Sequence, residues 1–182
     1  LTIFGCHPTS LGDYLIGGDY PGFLCRALST HTEAPAFFAT GCAGNIRPWF
    51  KGEDGGFGRP RLEELEAASR QMADAVIQSQ QNMSTIDAEG LRVADEFHQL
   101  PYTELPDAAT LFDRAENHPN PLIRLWASEM VKLAEAGGLP SCCPQEIQVV
   151  QFDENLRAVF LGGEVLTEIG MHIKKALQPS TT

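Results

Sequence analysis

Two short apolar runs, each followed by a segment of helical character, constrain the fold of this chain more than any other feature. The first run covers residues 1–6, and the second covers residues 36–40 and is ended by Gly41. Apolar runs of this length, bounded by glycine and proline, indicate buried strands. The resulting order of strand, helix, strand and helix predicts an α/β fold.

The two helices in this order have sequence features typical of helix starts and of amphipathic helices. Asp19 has a residue type that caps helices, and Pro21 follows in the first turn, where its missing N–H is harmless. The clearest helix is predicted over residues 61–81, which contain no glycine or proline. Apolar and small residues recur there at the three- and four-residue spacing of an amphipathic helix: Leu62, Leu65, Ser69, Met72 and Val76.

The sequence pattern predicts further strands and helices in the second half of the chain. Alternating residues predict a strand around 91–97, and a hairpin is predicted from 147–152 and 156–161. Helices are expected to begin near Pro106-Asp107 and at Asn120-Pro121, and a last helix is expected to end at Pro179. We therefore expect a single α/β domain or domain fragment over 1–182, with a mixed sheet, flanking helices and an inserted helical subdomain at 99–145.

Charge and composition exclude some classes of partner. The net charge is −11, and nucleic acids and anionic membranes attract basic surfaces, so neither is an expected partner. No apolar run approaches the roughly 18 residues that a membrane span needs. The five cysteines are an odd number and two of them are adjacent, which favours reduced thiols over a disulfide framework. The chain opens on Leu1, which predicts a start inside a longer protein or after processing.

His7 and Glu164 are the best candidates for metal ligands. Each follows a predicted strand, and ligands of α/β sheets collect at the carboxyl ends of strands. Zinc accepts imidazole nitrogen and carboxylate oxygen, and a catalytic site needs three protein ligands. A structural, hydrogen-bonded His7 is the alternative. A thiolate site among Cys6, Cys42 and the 142–143 pair has no defined geometry, and the remaining histidines are expected on the surface: His31, His98, His118 and His172.

The segment from Thr40 to Pro48 is the second candidate. Small residues after a strand allow close approach to a ligand, and Gly44 and Asn45 lie in a stretch whose N–H groups can face an anion. Arg47 can hold a carboxylate or phosphate bidentately. The alternative is a glycine-rich turn with Arg47 in solvent.

Three blocks of sequence resemble the neutral/alkaline non-lysosomal ceramidases. The first covers residues 4–10 and continues over 14–22, the second is Phe38-Ala39-Thr40-Gly41-Cys42-Ala43-Gly44-Asn45-Ile46-Arg47-Pro48, and the third is Gly163-Glu164-Val165-Leu166-Thr167-Glu168-Ile169-Gly170. In that family a zinc-binding histidine precedes Pro-Thr in the first block, as His7 precedes Pro8-Thr9 here. The second block of the family contains Gly-Asp/Asn-x-Ser-Pro, and the third contains a zinc-binding glutamate. The three blocks occur in the family's order.

The resemblance implies a site in two parts. His7 and Glu164 match zinc ligands, and Gly44, Asn45 and Arg47 match the substrate-binding block, with Arg47 at the position of the family's catalytic serine. The family's other ligands, an earlier histidine and a later tyrosine, have no counterpart in this chain. The chain would thus be part of a larger ceramidase-type N-terminal catalytic domain. The chain alone would bind zinc weakly or not at all. The rest of the polypeptide would complete the zinc site.

Two functions are compatible with this resemblance. The first is a zinc-dependent amidohydrolase of sphingolipid or other lipid metabolism, which cleaves the linear amide of ceramide or of a related N-acyl compound. The second is a non-catalytic relative that binds a ligand or partner, an interpretation favoured by Arg47 in place of serine.

Overall fold

A computed structural model describes residues 1–12, 16–86 and 90–177. The fold is mixed α/β, as the sequence predicts. The described residues divide into two compact units. The first contains residues 1–90, 152–156 and the segment from Gly163 onward, and the second contains residues 91–151 and 157–162. The segment predicted as a helical subdomain, 99–145, lies in the second unit together with strands.

The first unit is built on a parallel pair of strands. Strands β1 (Thr2–Phe4) and β2 (Phe38–Thr40) pair in register, with Thr2 opposite Phe38. Helix α1 (Asp19–Thr32) connects them, because parallel strands need a crossover. The order strand, helix, strand is the one that the two apolar runs predict. The predicted burial is wrong, because Ile3 and Phe4 of β1 are exposed in a sheet of two strands.

Helix α2 (Leu62–Ser79) packs against α1 and supplies much of the core. A 3₁₀ turn follows it at Gln80–Asn82, and helix α5 (Thr167–Leu177) also belongs to this unit. The buried apolar side chains of the unit are contributed chiefly by the loop after β1 and by the first two helices: Cys6, Tyr20, Leu24, Leu28, Leu65 and Ala73. This core lies beside the loops that follow β1 and β2.

The start of α1 differs from the expected cap. The helix begins at Asp19, whose φ of 48° lies in the left-handed region, and its cap position is Gly18. The Asp19 side chain accepts hydrogen bonds from the backbone N–H groups of Ser10 and Leu11, at 2.9 and 3.0 Å, and from that of Tyr20 at 2.7 Å. Asp19 therefore fastens the loop after β1 to the helix, which explains why the left-handed backbone is tolerated there.

The second unit joins a helical hairpin to an antiparallel sheet. Strands β3 (Arg92–Pro101), β4 (Cys142–Gln151) and β5 (Arg157–Leu161) are ordered β3-β4-β5. Between β3 and β4 the chain forms α3 (Ala108–Asn117) and α4 (Pro121–Ala136), which pack on each other. Asp107 and Asn120 cap these helices, which start where the sequence predicts. The proline expected at the end of α5, Pro179, is outside the described residues.

Candidate metal-binding site

Three loop segments of the first unit meet at the carboxyl ends of β1 and β2. The Gly41 N–H donates to the Phe4 carbonyl at 2.9 Å, so the chain leaves both strands at the same edge. An added Cβ on Gly41 would lie 3.2 Å from the backbone of Gly5, which shows how closely the two segments approach. The third segment precedes α5 and contains Glu164.

His7 lies at the start of the loop after β1 and is held through its backbone. Its N–H donates to the Ile46 carbonyl at 2.9 Å, and its own carbonyl accepts from Thr9 at 2.9 Å. Just before it, the Cys6 carbonyl accepts the buried hydroxyl of Tyr20 at 2.6 Å. The imidazole is 26% exposed, so the backbone is fixed while the ring remains accessible.

Glu164 lies beside His7, although it is near the other end of the sequence. Its Oε1 lies 3.8 Å from the Nε2 of His7, and its side chain is 80% exposed. The sequence predicts that these two residues share a site, and a shared site requires that they lie this close together. Two ligands of one tetrahedral zinc at ordinary Zn–N and Zn–O lengths lie about 3.4 Å apart. The pair thus has the donor atoms and nearly the spacing of two zinc ligands.

The pair supplies two of the three protein ligands that a catalytic zinc needs. In residues 1–12, 16–86 and 90–177, no group of three or more His, Cys, Asp and Glu side chains is arranged to hold a metal ion. The residues present therefore fit part of a zinc site. A third ligand would have to come from elsewhere in the polypeptide.

Arg47 stacks on an aromatic side chain. Its guanidinium carbon lies 4.3 Å from the centre of the Phe57 ring, and Trp49 lies against the same ring with 4.5 Å between centroids. Stacking of this kind orients a guanidinium while leaving its N–H edge exposed. Arg47 is exposed and has no carboxylate partner in the part of the chain that the structure describes.

The cysteines do not gather around this pair. All five are free thiols, and Cys142 and Cys143 lie in β4 of the second unit. Burial, followed by the negative charge of Asp19, raises the pKa of the Cys6 thiol. Cys6 is therefore kept protonated beside Tyr20, which favours a packing role over metal ligation.

Two other histidines have contacts of their own. His98 Nε2 lies 3.6 Å from Glu96 Oε2 on β3, and His118 Nδ1 accepts the N–H of Asn120 at 3.1 Å. Both lie in the second unit. The His98 pair serves as an internal comparison for the His7 pair, because it has the same donor types in an exposed strand.

Some contacts that shape the site are not predicted from the sequence. Asn45 bonds to Thr167 and Glu168, and Tyr20 bonds to the backbone beside His7. Asn45 is separated from Thr167 and Glu168 by more than 120 residues, so no local pattern predicts these bonds, although the sequence names Asn45 as a substrate-binding candidate. The available signal was the third block of the resemblance, which contains both Thr167 and Glu168.

The comparisons with known proteins add no assignment: the chain matches no family model, no curated protein and no solved structure. Within the described residues, no helix combines the length and apolar character needed to cross a membrane.

Proposed function

We propose that this chain is the metal-site portion of a ceramidase-like, zinc-dependent amidohydrolase that cleaves an N-acyl amide. The observation that carries the proposal is the 3.8 Å approach of His7 Nε2 to Glu164 Oε1 across 157 residues of sequence. Both residues occupy positions that the family resemblance assigns to zinc. When bound, zinc would act as a Lewis acid on the amide carbonyl and activate a water molecule.

The chain's own residues have separable roles in this proposal. His7 and Glu164 hold the metal, and the exposed Glu164 carboxylate leaves one side of the pair open to substrate. Arg47 remains protonated and has no acceptor, so it takes no part as nucleophile or base. Stacked on Phe57, it is suited to bind an anionic group or to stabilise developing negative charge.

Zinc analysis of the full-length protein tests the metal assignment. We expect zinc to be retained by wild type and lost from His7→Ala and Glu164→Gln. His98→Ala is the matched control, because it removes an exposed His–Glu pair of similar length on β3. Zinc retained equally by all four proteins would contradict the proposal. In the 182-residue chain alone we expect weak binding, because two ligands are present.

The substrate is tested with Arg47. We expect little turnover of a labelled ceramide by full-length wild type, and greater turnover of a short N-acyl amino acid, whose carboxylate Arg47 binds. In Arg47→Ser the preference for the anionic substrate should be lost. Robust wild-type turnover of ceramide that falls in Arg47→Ser would show that Arg47 is a working catalytic group and would overturn this role.

A second candidate function is a non-catalytic ligand-binding domain. The observation that favours it is the contact of the Arg47 guanidinium with the Phe57 ring, at 4.3 Å. By the resemblance, this cation stands where the family carries a hydroxyl nucleophile. Under this alternative, full-length protein binds the N-acyl amino acid in an Arg47-dependent manner. It releases no product with or without added zinc.

A further inference from the structure

One turn of backbone connects both candidate metal ligands. It covers residues 43–46, is closed by a hydrogen bond from the Ile46 N–H to the Ala43 carbonyl at 2.9 Å, and is called here the bracket turn. At one end the Ile46 carbonyl accepts the N–H of His7. At the other end the Gly44 N–H donates to the Val165 carbonyl at 2.8 Å, one residue after Glu164.

The side chain of Asn45 is fully engaged with helix α5. Its Oδ1 accepts the N–H of Thr167 at 3.0 Å, at the first residue of the helix. Its Nδ2 donates to the carboxylate of Glu168, at 3.1 and 2.9 Å to the two oxygens. Asn45 thus satisfies a free N–H group of the first turn of α5, as a cap residue does, although it lies 122 residues away.

Gly44 permits the closest approach in this region. A Cβ on Gly44 would overlap the carbonyl oxygen of Glu164 and come within 3.1 Å of the Val165 carbonyl carbon. On the same side, the Thr167 hydroxyl donates to the Cys42 carbonyl at 3.1 Å. The backbone around Glu164 is therefore placed by contacts with the segment after β2.

We infer that Asn45 and Gly44 are positioning residues, which set the distance between His7 and Glu164 and do not contact substrate. The inference deepens the proposed function and rests on it for the claim that the two side chains bind metal. Asn45 acts through the start of α5, and Gly44 acts through the backbone of Glu164. Their role differs from the substrate binding that the sequence suggested for them.

Amide hydrogen exchange tests the positioning without reference to metal. In Asn45→Ala, the Thr167 amide loses its acceptor and exchanges faster under any interpretation. The informative amides are those of His7 and Gly44, neither of which bonds to the Asn45 side chain. We expect both to exchange about fivefold faster, the change that corresponds to loss of one cap hydrogen bond. Asn45→Ser, which keeps a capping oxygen, should restore most of the protection.

Zinc affinity of the full-length protein gives the second readout. We expect the dissociation constant to rise about tenfold in Asn45→Ala, as for other residues that orient metal ligands. Leu28→Ala is the control for general destabilisation, since this core residue of α1 lies outside the bracket turn. It should unfold at lower denaturant concentration and keep wild-type zinc affinity. Gly44→Ala should behave as Asn45→Ala if it folds.

The outcomes separate the two claims. Zinc affinity that falls in His7→Ala but not in Asn45→Ala would overturn the positioning role and leave the proposed function intact. Zinc binding that is insensitive to both His7→Ala and Glu164→Gln would overturn the proposed function. If the proposed function fails in this way, amide exchange still tests the positioning role. Unchanged exchange at His7 and Gly44 in Asn45→Ala would overturn that role, and faster exchange would uphold it.

Discussion

At the scale of single residues, Tyr20 makes the best-defined buried contact beside the candidate site. Its hydroxyl donates to the Cys6 carbonyl at 2.6 Å, and its ring meets Phe38 edge to face with 5.5 Å between centroids. Tyr20→Phe keeps the ring and leaves the buried carbonyl without its donor. We expect a loss of about 1–3 kcal/mol in the free energy of unfolding, measured by urea titration.

Tyr102→Phe is the matched control for this change, because Tyr102 is exposed. Its effect should be much smaller. A loss in Tyr20→Phe no larger than that in Tyr102→Phe would show that the buried Tyr20 hydrogen bond contributes no more than an exposed hydroxyl.

Tyr20 also predicts a stability change in alkaline solution. Burial, and then the charges of Cys6 and Asp19, raise the pKa of Tyr20 above its ordinary value of about 10. The unfolded chain therefore loses this proton at lower pH than the folded chain. The contribution to stability is complete below about pH 10 and is lost as the pH rises from there toward the raised pKa. Urea titrations at pH 8 and pH 11 should show this loss in wild type and a smaller one in Tyr20→Phe.

The sequence predicts the roles of some capping residues and not of others. The starts of α3 and α4, at Asp107 and Asn120, are predicted correctly because a cap and its helix are adjacent in the chain. Asp19 is predicted to cap α1, but it is the first residue of the helix and has left-handed backbone, and its carboxylate accepts the N–H groups of Ser10, Leu11 and Tyr20. Asn45 acts as a cap for a distant helix, which no local pattern can reveal.

At the scale of elements, the contact of α2 with the loop after β1 is the clearest test of the core. Leu65 is fully buried and clusters with Cys6 and Tyr20. Leu65→Ala should cost about 2–5 kcal/mol of unfolding free energy, because it leaves a cavity in a packed site. Leu62→Ala, on the same helix and 54% exposed, is the control and should cost much less. Similar losses measured for both would contradict this packing.

Helix α3 depends on a carboxylate at its beginning. The Thr110 N–H donates to Asp107 Oδ1 at 2.7 Å and lowers the pKa of Asp107. Because this folded-state pKa is lowered, the stabilisation is present above the unfolded value of about 3.9 and is lost as the pH falls through the folded value. Asp107→Ala should lower the thermal midpoint of the second unit at neutral pH.

Asp107→Asn is the diagnostic variant, since asparagine caps helices without titrating. It should retain most of the thermal midpoint at pH 7 and show a weaker decline between pH 5 and pH 3. An unchanged acid profile in Asp107→Asn would show that this cap does not contribute to the acid sensitivity.

Strand boundaries were harder to predict than helix starts. The hairpin was expected from Ile147, whereas β4 begins at Cys142. The added residues, 142–146, have no alternating apolar pattern, and they are strand because they pair with β3 from Phe97 to Pro101. A partner strand more than 40 residues away thus extended the element beyond its local signal.

At the scale of the whole molecule, the two compact units should respond separately to core substitutions. The buried clusters around Leu24 and Leu65 belong to the first unit, and Leu111 of α3 is fully buried in the second. Leu111→Ala should speed amide exchange in α3 and α4 and leave α1 and α2 near wild-type protection. Equal loss of protection in both units would show that they unfold as one.

The long separation between Asn45 and Thr167 also has a consequence for the order of assembly. His7 and the bracket turn lie within the first 46 residues of the chain, so they can form with the first strands and helices. The contacts to α5 close a loop of 122 residues. Closing a longer loop costs more conformational entropy, so these contacts should form later in folding. During synthesis His7 emerges long before Glu164, so we expect a nascent chain to carry one half of the candidate site until α5 has docked.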